Sequence, residues 1–301
     1  MSISNHASDL LVSSDGSAVI GRNGHIFVYK GSNDVLSIYQ DRDDRSNREI
    51  ARRWVLLARD RLRRSRALGA RFVQMMIPEK SSVLPMMSPL GNGGASPLWS
   101  WVLDALSANV DGTFQHINGL NLLQACDCPT ATFLAMDSHF SSYGAETMMR
   151  SLLPDRARSG YRRQEARTAN APGDLGRKFP LETRPFEMEA FTVFRGLVTP
   201  TGVQPPPDLI EEVDPPSGHR GTIRRWRNKH PLSDEAVLCF GNSFFERGLT
   251  STNLSWWGAR FFREFHFCWA PDIDWSLAEA VRPTIIIGQS IERFLRIVPE
   301  S

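Results

Sequence analysis

The sequence has 301 residues, of which 41% are hydrophobic and 23% are charged, as is usual for a globular chain. Its 35 basic residues nearly balance its 33 acidic residues, and a net charge of +2 is too small to favour nucleic acid as the main partner. The four cysteines do not have the spacing of zinc ligands, so we expect neither a metal nor another cofactor.

The N-terminal residues have neither the basic segment nor the apolar segment of a secretory signal. No stretch of the sequence contains the ~18–20 apolar residues that a membrane span requires. The sequence as written therefore predicts a cytoplasmic protein without a transmembrane segment. A periplasmic location would require a leader that is missing from this sequence.

The first third of the chain alternates between strand and helix patterns. Residues 21–30 predict a short strand, and Ser46 is predicted to be the N-cap of a helix because Glu49 follows at the spacing of a capping box. That helix is expected to end at Gly69. Residues 71–77 predict a second strand, 84–97 a flexible loop and 97–108 a second helix. This alternation is typical of α/β folds.

The next apolar segment leads to a carboxylate and a histidine. Residues 130–136 (TATFLAM) predict a buried strand that ends at Asp137 and His139. Residues two apart on an extended segment project to the same side, so Asp137 can bind Nδ1 of His139 and leave Nε2 free to accept a proton. A helix over residues 143–153 is expected to follow.

The pattern changes in residues 155–231, where alternating polar and apolar positions at 189–198 and 221–227 predict antiparallel strands. We therefore expect one domain over residues 1–301 with an insertion at 155–231. Arg224 and Trp226 in the second of these strands could bind an anionic sugar through charge and stacking. An ordinary strand with exposed arginines is the alternative.

A second strand end carries a serine. Residues 236–240 (AVLCF) predict a buried strand that continues into Gly241, Asn242 and Ser243, and residues 244–247 can begin a helix. Ligands of open α/β sheets bind at the carboxyl ends of strands, and a helix start supplies N–H donors for an oxyanion. The last predicted strand, 285–287, leads to Gln289, whose amide is a candidate oxyanion or acceptor donor, and Asn242 is a further candidate for oxyanion or substrate binding.

Ser243, His139 and Asp137 form a candidate catalytic triad. A serine hydroxyl becomes a useful nucleophile only when a base removes its proton and a carboxylate orients that base. Taken singly, Ser243 could be a helix N-cap and His139 a polar residue at a strand end. Two strand ends with complementary parts favour the triad.

Several segments, in the expected order, resemble the alginate O-acetyltransferase AlgJ/AlgX family. Residues 137–145 (DSHFSSYGA) resemble its D-x-H-W-T-x-x-G-A segment, and residues 241–244 (GNSF) resemble its G-D-S-F segment. Further resemblances lie at residues 21–27 (GRNGHIF), 77–80 (IPEK), 173–176 (GDLG) and 285–295 (IIIGQSIERFL). Asn242 and Gln289 stand where the family carries acidic residues, and Phe140 stands in place of a tryptophan.

This resemblance implies a circularly permuted SGNH hydrolase-like fold, in which a mostly parallel sheet forms the middle layer of an α/β/α sandwich with an antiparallel insertion. It also implies an enzyme that moves an acyl group, acetyl in the family, through an acyl-serine to a carbohydrate or polysaccharide hydroxyl. The implied partners are a carbohydrate acceptor and an acyl donor, with a membrane-bound O-acyltransferase as one source of the acyl group. The family usually works in the periplasm, which conflicts with the missing leader.

Two alternatives remain open from the sequence. A carbohydrate acetylesterase would use the same triad, with water in place of the sugar hydroxyl. A catalytically silent carbohydrate-binding or scaffold protein of a polysaccharide assembly would explain the change at Asn242.

Overall fold

The computed structural model describes residues 10–90 and 93–301. The N-terminal residues 1–9 and residues 91–92 of the predicted loop at 84–97 lie outside the described residues. Among the described residues, the strands are β1 (Ala18–Ile20), β2 (Ile26–Val28), β3 (Arg71–Ile77), β4 (Gln115–Asn118), β5 (Arg162–Ala171), β6 (Glu189–Thr199), β7 (Gly202–Val203), β8 (Asp208–Val213), β9 (Ile223–Arg227), β10 (Ser233–Gly241), β11 (Phe262–Trp269) and β12 (Ile285–Ile291).

Over the same residues, the helices are α1 (Val35–Gln40), α2 (Asp44–Ala67), α3 (Lys80–Val83), α4 (Pro97–Asn109), α5 (Gly119–Gln124), α6 (Ser142–Arg150), α7 (Asp155–Arg158), α8 (Leu254–Phe261) and α9 (Trp275–Val281). Each helix in this described part of the chain is too short or too polar to cross a membrane.

The central sheet has seven strands in the order β4-β3-β12-β10-β11-β9-β8. The first five are mutually parallel, whereas β9 and β8 add an antiparallel pair at one edge. Parallel strands with both faces covered are apolar along their length, and residues 285–287 of β12 accordingly have no exposed surface. The predicted mostly parallel sheet is confirmed.

Helices cover both faces of this sheet. Successive residues of a strand point to opposite faces, and β10 shows the consequence. Leu238 belongs to a core that includes Trp54 of α2, and Val237 belongs to a second core that includes Met148 of α6. The predicted three-layer α/β/α sandwich is therefore confirmed.

Two predicted boundaries near the N-terminus were wrong. The N-cap of α2 is Asp43 rather than Ser46, because the Asp43 carboxylate accepts the N–H groups of Arg45 and Ser46 at 3.1 Å each. The predicted strand at 21–30 is instead the antiparallel pair β1 and β2, joined by a turn at Arg22–Gly24. The predicted end of α2 is confirmed, since Gly69 has a φ of +71° just beyond the helix.

The predicted strand at 130–136 was also wrong. Pro129–Ala131 is a short 3-10 helix, and Phe133 makes a single bridge to Phe140. Polar side chains take the place of a neighbouring strand, because the Glu189 carboxylate accepts the N–H groups of Ala135 and Met136 at 2.5 and 2.7 Å. The apolar residues of this segment are buried as a loop, which a short apolar run does not distinguish from a strand.

Residues 155–231 contain two different structures. Strands β5, β6 and β7 form a separate antiparallel sheet, whereas β8 and β9 belong to the edge of the central sheet. The antiparallel strands predicted at 189–198 and 221–227 correspond to β6 and β9. The division of the chain into one domain with an insertion stays a prediction.

Candidate active site

The structure brings Ser243, His139 and Asp137 together beyond the carboxyl end of β10. His139 Nε2 lies 2.9 Å from Ser243 Oγ, and His139 Nδ1 lies 2.7 Å from Asp137 Oδ1. Both distances are those of hydrogen bonds. The three side chains therefore form one chain of hydrogen bonds from a carboxylate through an imidazole to a hydroxyl.

Backbone groups hold the Asp137 carboxylate in place. Its Oδ1 accepts the N–H of His139 at 2.9 Å, and its Oδ2 accepts the N–H of Asp174 at 2.9 Å. Burial alone would raise the pKa of Asp137, but the hydrogen bond and charge of His139, together with these N–H donors, hold that pKa well below its usual value. Asp137 is therefore an anion near neutral pH.

The contact with Asp137 has the opposite effect on the pKa of His139. Burial would lower the pKa of His139, but the hydrogen bond and charge of Asp137 outweigh it, and the carboxylates of Asp174 and Glu246 add to the effect. The pKa of His139 is consequently raised above the usual value for a histidine. The side chain remains 26% exposed, so one edge of the ring can meet a ligand.

Asp174 is a neighbour of the triad to which the sequence analysis assigned no role. Its carboxylate accepts the N–H of Ser138 at 2.7 Å and the Ser138 hydroxyl at 2.5 Å, and Oδ2 lies 3.8 Å from His139 Nδ1. Burial and the charge of Asp137 raise the pKa of Asp174. The sequence feature that could have indicated the position of Asp174 is the preceding glycine. Gly173 has a φ of +67°, and a Cβ there would lie 2.0 Å from the Met136 carbonyl oxygen.

Asp137, His139 and Asp174 also place potential metal ligands within 4.8 Å of one another. These atoms are already engaged, because Asp137 binds the imidazole and Asp174 binds Ser138. We assign no metal to this group.

Lys80 fixes the loop that carries Asp137. Its ammonium donates to the carbonyl oxygens of Ile26, Leu134, Ala135 and Asp137 at 2.8, 2.6, 2.7 and 3.2 Å. The side chain is buried, and burial lowers the pKa of Lys80 to about 7 against the opposing charges of nearby carboxylates. The contacts of Lys80 are therefore those of a loop anchor.

The backbone after Ser243 differs from the prediction. Residues 243–247 form a turn in which Glu246 has a φ of +41°, and α8 begins only at Leu254. The predicted helix at 244–247 was therefore wrong. These residues form a turn instead, and the turn buries the side chains of Phe244 and Phe245. No helix start in the described part of the chain directly follows the serine.

Donors near Ser243 come from this turn. The Asn242 N–H donates to Gln289 Oε1 at 2.9 Å, and the Phe244 N–H donates to Asn242 Oδ1 at 3.3 Å. The N–H of Ser243 itself has no hydrogen-bond acceptor among residues 10–90 and 93–301. It is available to an oxyanion that forms beside Ser243 Oγ.

Gln289 lies behind Asn242. Its side chain is 5% exposed, and its Oε1 supports the Asn242 N–H. Its Nε2 is buried without a hydrogen-bond partner among the described residues. Gln289 is thus placed to hold the turn that carries Ser243, whereas an oxyanion role would require Nε2 to be accessible.

Arg224 and Trp226 are not brought to Ser243. Arg224 is 1% exposed, and its guanidinium pairs with Glu212 and Asp214 at 2.8 Å each. Trp226 is 7% exposed and packs 6.1 Å from the Phe265 ring. Arg224 and Trp226 are two residues apart in β9, so their side chains lie on the same face of the sheet, and both are buried there. Their placement argues against the predicted contact with a sugar.

A cleft of about 370 Å³ is lined by His139 and Ser243. Ser138, His139, Asp174 and Ser243 form its base together with Asn242. Its other lining residues include Asn33, Lys178, Trp269, Arg293 and Phe294. The cleft thus offers aromatic, cationic and amide groups around the reactive hydroxyl.

No model of a known protein family matches the sequence, and no curated protein matches it. Three solved structures are similar over nearly the whole chain. The DHHW family protein from Eubacterium siraeum has a TM-score of 0.58 at 12% identity, with 96% of this chain and 96% of that chain covered. The O-acetyltransferase domain of Pseudomonas putida AlgJ has a TM-score of 0.53 at 15% identity, covering 93% of this chain and 92% of that chain.

Bacillus cereus PatB1 has a TM-score of 0.52 at 9% identity, with 95% of this chain and 97% of that chain covered. At identities this low, the structural similarity shows a shared fold. The expected similarity to AlgJ is confirmed as a similarity of fold over nearly the full length of both chains.

Proposed function

We propose that the protein is a serine-dependent O-acyltransferase that moves an acyl group, such as acetyl, to a carbohydrate hydroxyl. The observation that carries the proposal is the hydrogen-bonded chain from Asp137 through His139 to Ser243. The fold adds support, because the O-acetyltransferase domain of AlgJ is similar over most of its length.

In the first half of the proposed reaction, Ser243 Oγ attacks the carbonyl carbon of the acyl donor. His139 Nε2 takes the hydroxyl proton as the new C–O bond forms, and Asp137 stabilises the imidazolium through Nδ1. The bond between the acyl carbon and the leaving group then breaks, and the imidazolium gives its proton to that group. The product of this half is acyl-Ser243.

In the second half, a sugar hydroxyl attacks the acyl-serine. His139 takes the proton of that hydroxyl and returns it to Ser243 Oγ as the serine ester bond breaks. The free N–H of Ser243 is positioned to donate to the carbonyl oxygen as it becomes an oxyanion in both halves. Atoms and protons balance without a metal or a redox partner.

The acceptor and the compartment belong to this proposal. A carbohydrate or polysaccharide acceptor is supported by the likeness to the AlgJ O-acetyltransferase domain and by the aromatic and cationic residues of the cleft. We propose a periplasmic site of action, with the acyl group supplied by a donor that a membrane-bound O-acyltransferase could load. Fractionation of cells that produce the protein tests the compartment.

Carbohydrate acetylesterase activity is the second candidate. The observation that favours it is the partial exposure of His139, because water that reaches the imidazole can attack the acyl-serine. The two activities share the first half-reaction and differ in which hydroxyl accepts the acyl group.

An acetyl ester assay with and without an oligosaccharide acceptor tests the proposal. We expect ester turnover and an acetylated sugar with the wild type, and loss of both by at least about a thousandfold in Ser243→Ala. Ser100→Ala, on an exposed position of α4, is the matched control and should behave as wild type. Turnover without an acetylated sugar would favour the esterase. Glycan binding without turnover would favour a silent binding or scaffold protein and contradict both enzymatic candidates.

A further inference from the structure

A second cavity, of about 320 Å³, lies beside the cleft that contains Ser243. Asn242, Trp269 and Phe294 line both spaces. Asn242, which lines both spaces, precedes Ser243 in the chain, so the cavity lies within one residue of the nucleophile. A group bound to Ser243 can therefore extend into it.

The walls of this cavity are mainly apolar. Besides Trp269 and Phe294, they include Pro271, Ile297 and Pro299, with Arg220 as the charged residue of the lining. Apolar ligand surface that enters such a space leaves water, and the gain is about 25 cal/mol per Å² of surface buried. The cavity thus favours a hydrocarbon chain over a sugar hydroxyl.

The position of the cavity relative to His139 indicates which part of a substrate it would bind. In acyl transfer, the leaving oxygen and the attacking oxygen both face the imidazole, because the imidazole exchanges protons with them. The acyl substituent must therefore point away from it. His139 and Asp174 line the cleft, whereas Gly241, at the end of β10, and Gln289, within β12, line the apolar cavity.

We propose that this cavity binds the apolar chain of an acyl group longer than acetyl, such as butyryl to octanoyl. The inference rests on the function proposed above and specifies its acyl donor. At the ~30 Å³ that a water molecule occupies, 320 Å³ has room for on the order of ten non-hydrogen atoms. An acetyl group places only one methyl beyond the carbonyl and would leave most of this space empty.

The test compares kcat/KM for the p-nitrophenyl esters of acetate, butyrate and hexanoate. Each methylene that becomes buried should raise kcat/KM by up to about fourfold, so hexanoate should exceed acetate by about tenfold or more. Ser290→Leu adds a side chain at the cavity wall and should lower the hexanoate to acetate ratio by about tenfold. Ser100→Leu, on the exposed position of α4, makes the same substitution elsewhere and should leave that ratio as in wild type.

A wild-type ratio of one or below, with acetate turnover that depends on Ser243, would overturn this inference and leave the proposed function standing. Turnover of every ester no faster than in Ser243→Ala would overturn both. If Ser290→Leu does not fold, the wild type provides a second measurement: alkyl fluorophosphonates should label Ser243 faster with a hexyl group than with a methyl group, as followed by intact mass. Equal labelling rates would overturn the inference.

Discussion

Ser243 and His139, the proposed nucleophile and base, are held in place by different means. Ser243 follows β10, a regular strand between β11 and β12 in the central sheet. His139 follows a loop whose backbone groups bind mainly the side chains of Lys80 and Glu189, with one backbone hydrogen bond from Ile26 of β2 to Ala135. The position of the serine therefore depends on the sheet, whereas the position of the histidine depends on a few buried polar side chains. Substitutions on the two sides should have different consequences.

The largest effect is expected from removing the base itself. His139→Ala should lower kcat by about ten thousandfold, because nothing then accepts the Ser243 proton, while the free energy of unfolding should fall by about 1–3 kcal/mol because Asp137 loses its partner. Steady-state kinetics and urea unfolding measure the two quantities. His230→Ala, at an exposed position, is the control. Retention of more than a tenth of the activity in His139→Ala would show that another group is the base.

Lys80→Met tests the support of the histidine loop. The change leaves carbonyl oxygens of Ile26, Leu134 and Ala135 without their ammonium donor, so we expect a loss of about 2–4 kcal/mol in the free energy of unfolding. Hydrogen exchange should increase in residues 133–140 and stay low in residues 236–241. Lys229→Met, at a side chain that is 73% exposed, is the matched control. Equal increases in both segments would remove the distinction between the two regions.

The pH dependence of catalysis reports on the carboxylates around His139. The base must be neutral, and its pKa is raised above 6.5, so activity should fall as the pH drops through a midpoint above 6.5. Asp174→Asn removes a negative charge that favours the imidazolium and should move this midpoint to lower pH. Profiles of kcat/KM measure the shift. Asp155→Asn, a change at a remote exposed carboxylate, should leave the midpoint in place.

A midpoint that moves to higher pH in Asp174→Asn would contradict this account, because it would mean that Asp174 does not stabilise the charged histidine. An unchanged midpoint with a lower kcat would limit Asp174 to positioning Ser138.

The smallest effect is expected on the serine side, where the sheet already holds the chain. Gln289→Met keeps the shape of the side chain but removes the acceptor of the Asn242 N–H. We expect a loss of about 1–3 kcal/mol in stability and a reduction in kcat smaller than that of His139→Ala. Gln124→Met, in α5, is the control for the loss of an exposed glutamine whose amide donates to one carbonyl group. A loss of kcat in Gln289→Met as large as that in His139→Ala would show that the Gln289 amide acts in the reaction.

The sequence predicted the parts of the fold that depend on local pattern. β3, β10 and β12 each contain a run of at least three apolar residues, and the parallel sheet follows from them. The segment at 130–136 has the same local pattern but is a loop, since its partners Lys80 and Glu189 lie more than 50 residues away in the chain. The turn at 243–247 was mistaken for a helix because its burial is not visible in a short sequence window.

The candidate site was only partly predictable for the same reason. Asp137 and His139 are two residues apart, so their pairing could be inferred from the chain itself. Asp174 contacts Ser138 across 36 residues, and that contact depends on a loop held by Gly173. Arg224 is buried because strand β8 supplies its carboxylate partner Glu212, a pairing between strands that the pattern of residues 221–227 does not show.

The most direct test of the central proposal measures the mass of the peptide that contains Ser243 during turnover. The protein is mixed with an activated acyl ester, quenched, digested and examined by peptide mass spectrometry, with and without an oligosaccharide acceptor. We predict an acyl group on Ser243 that forms in the wild type, is discharged faster when the acceptor is present and does not form in His139→Ala. Acyl transfer that proceeds at the wild-type rate in Ser243→Ala, with no acyl-serine in the wild type, would contradict the account.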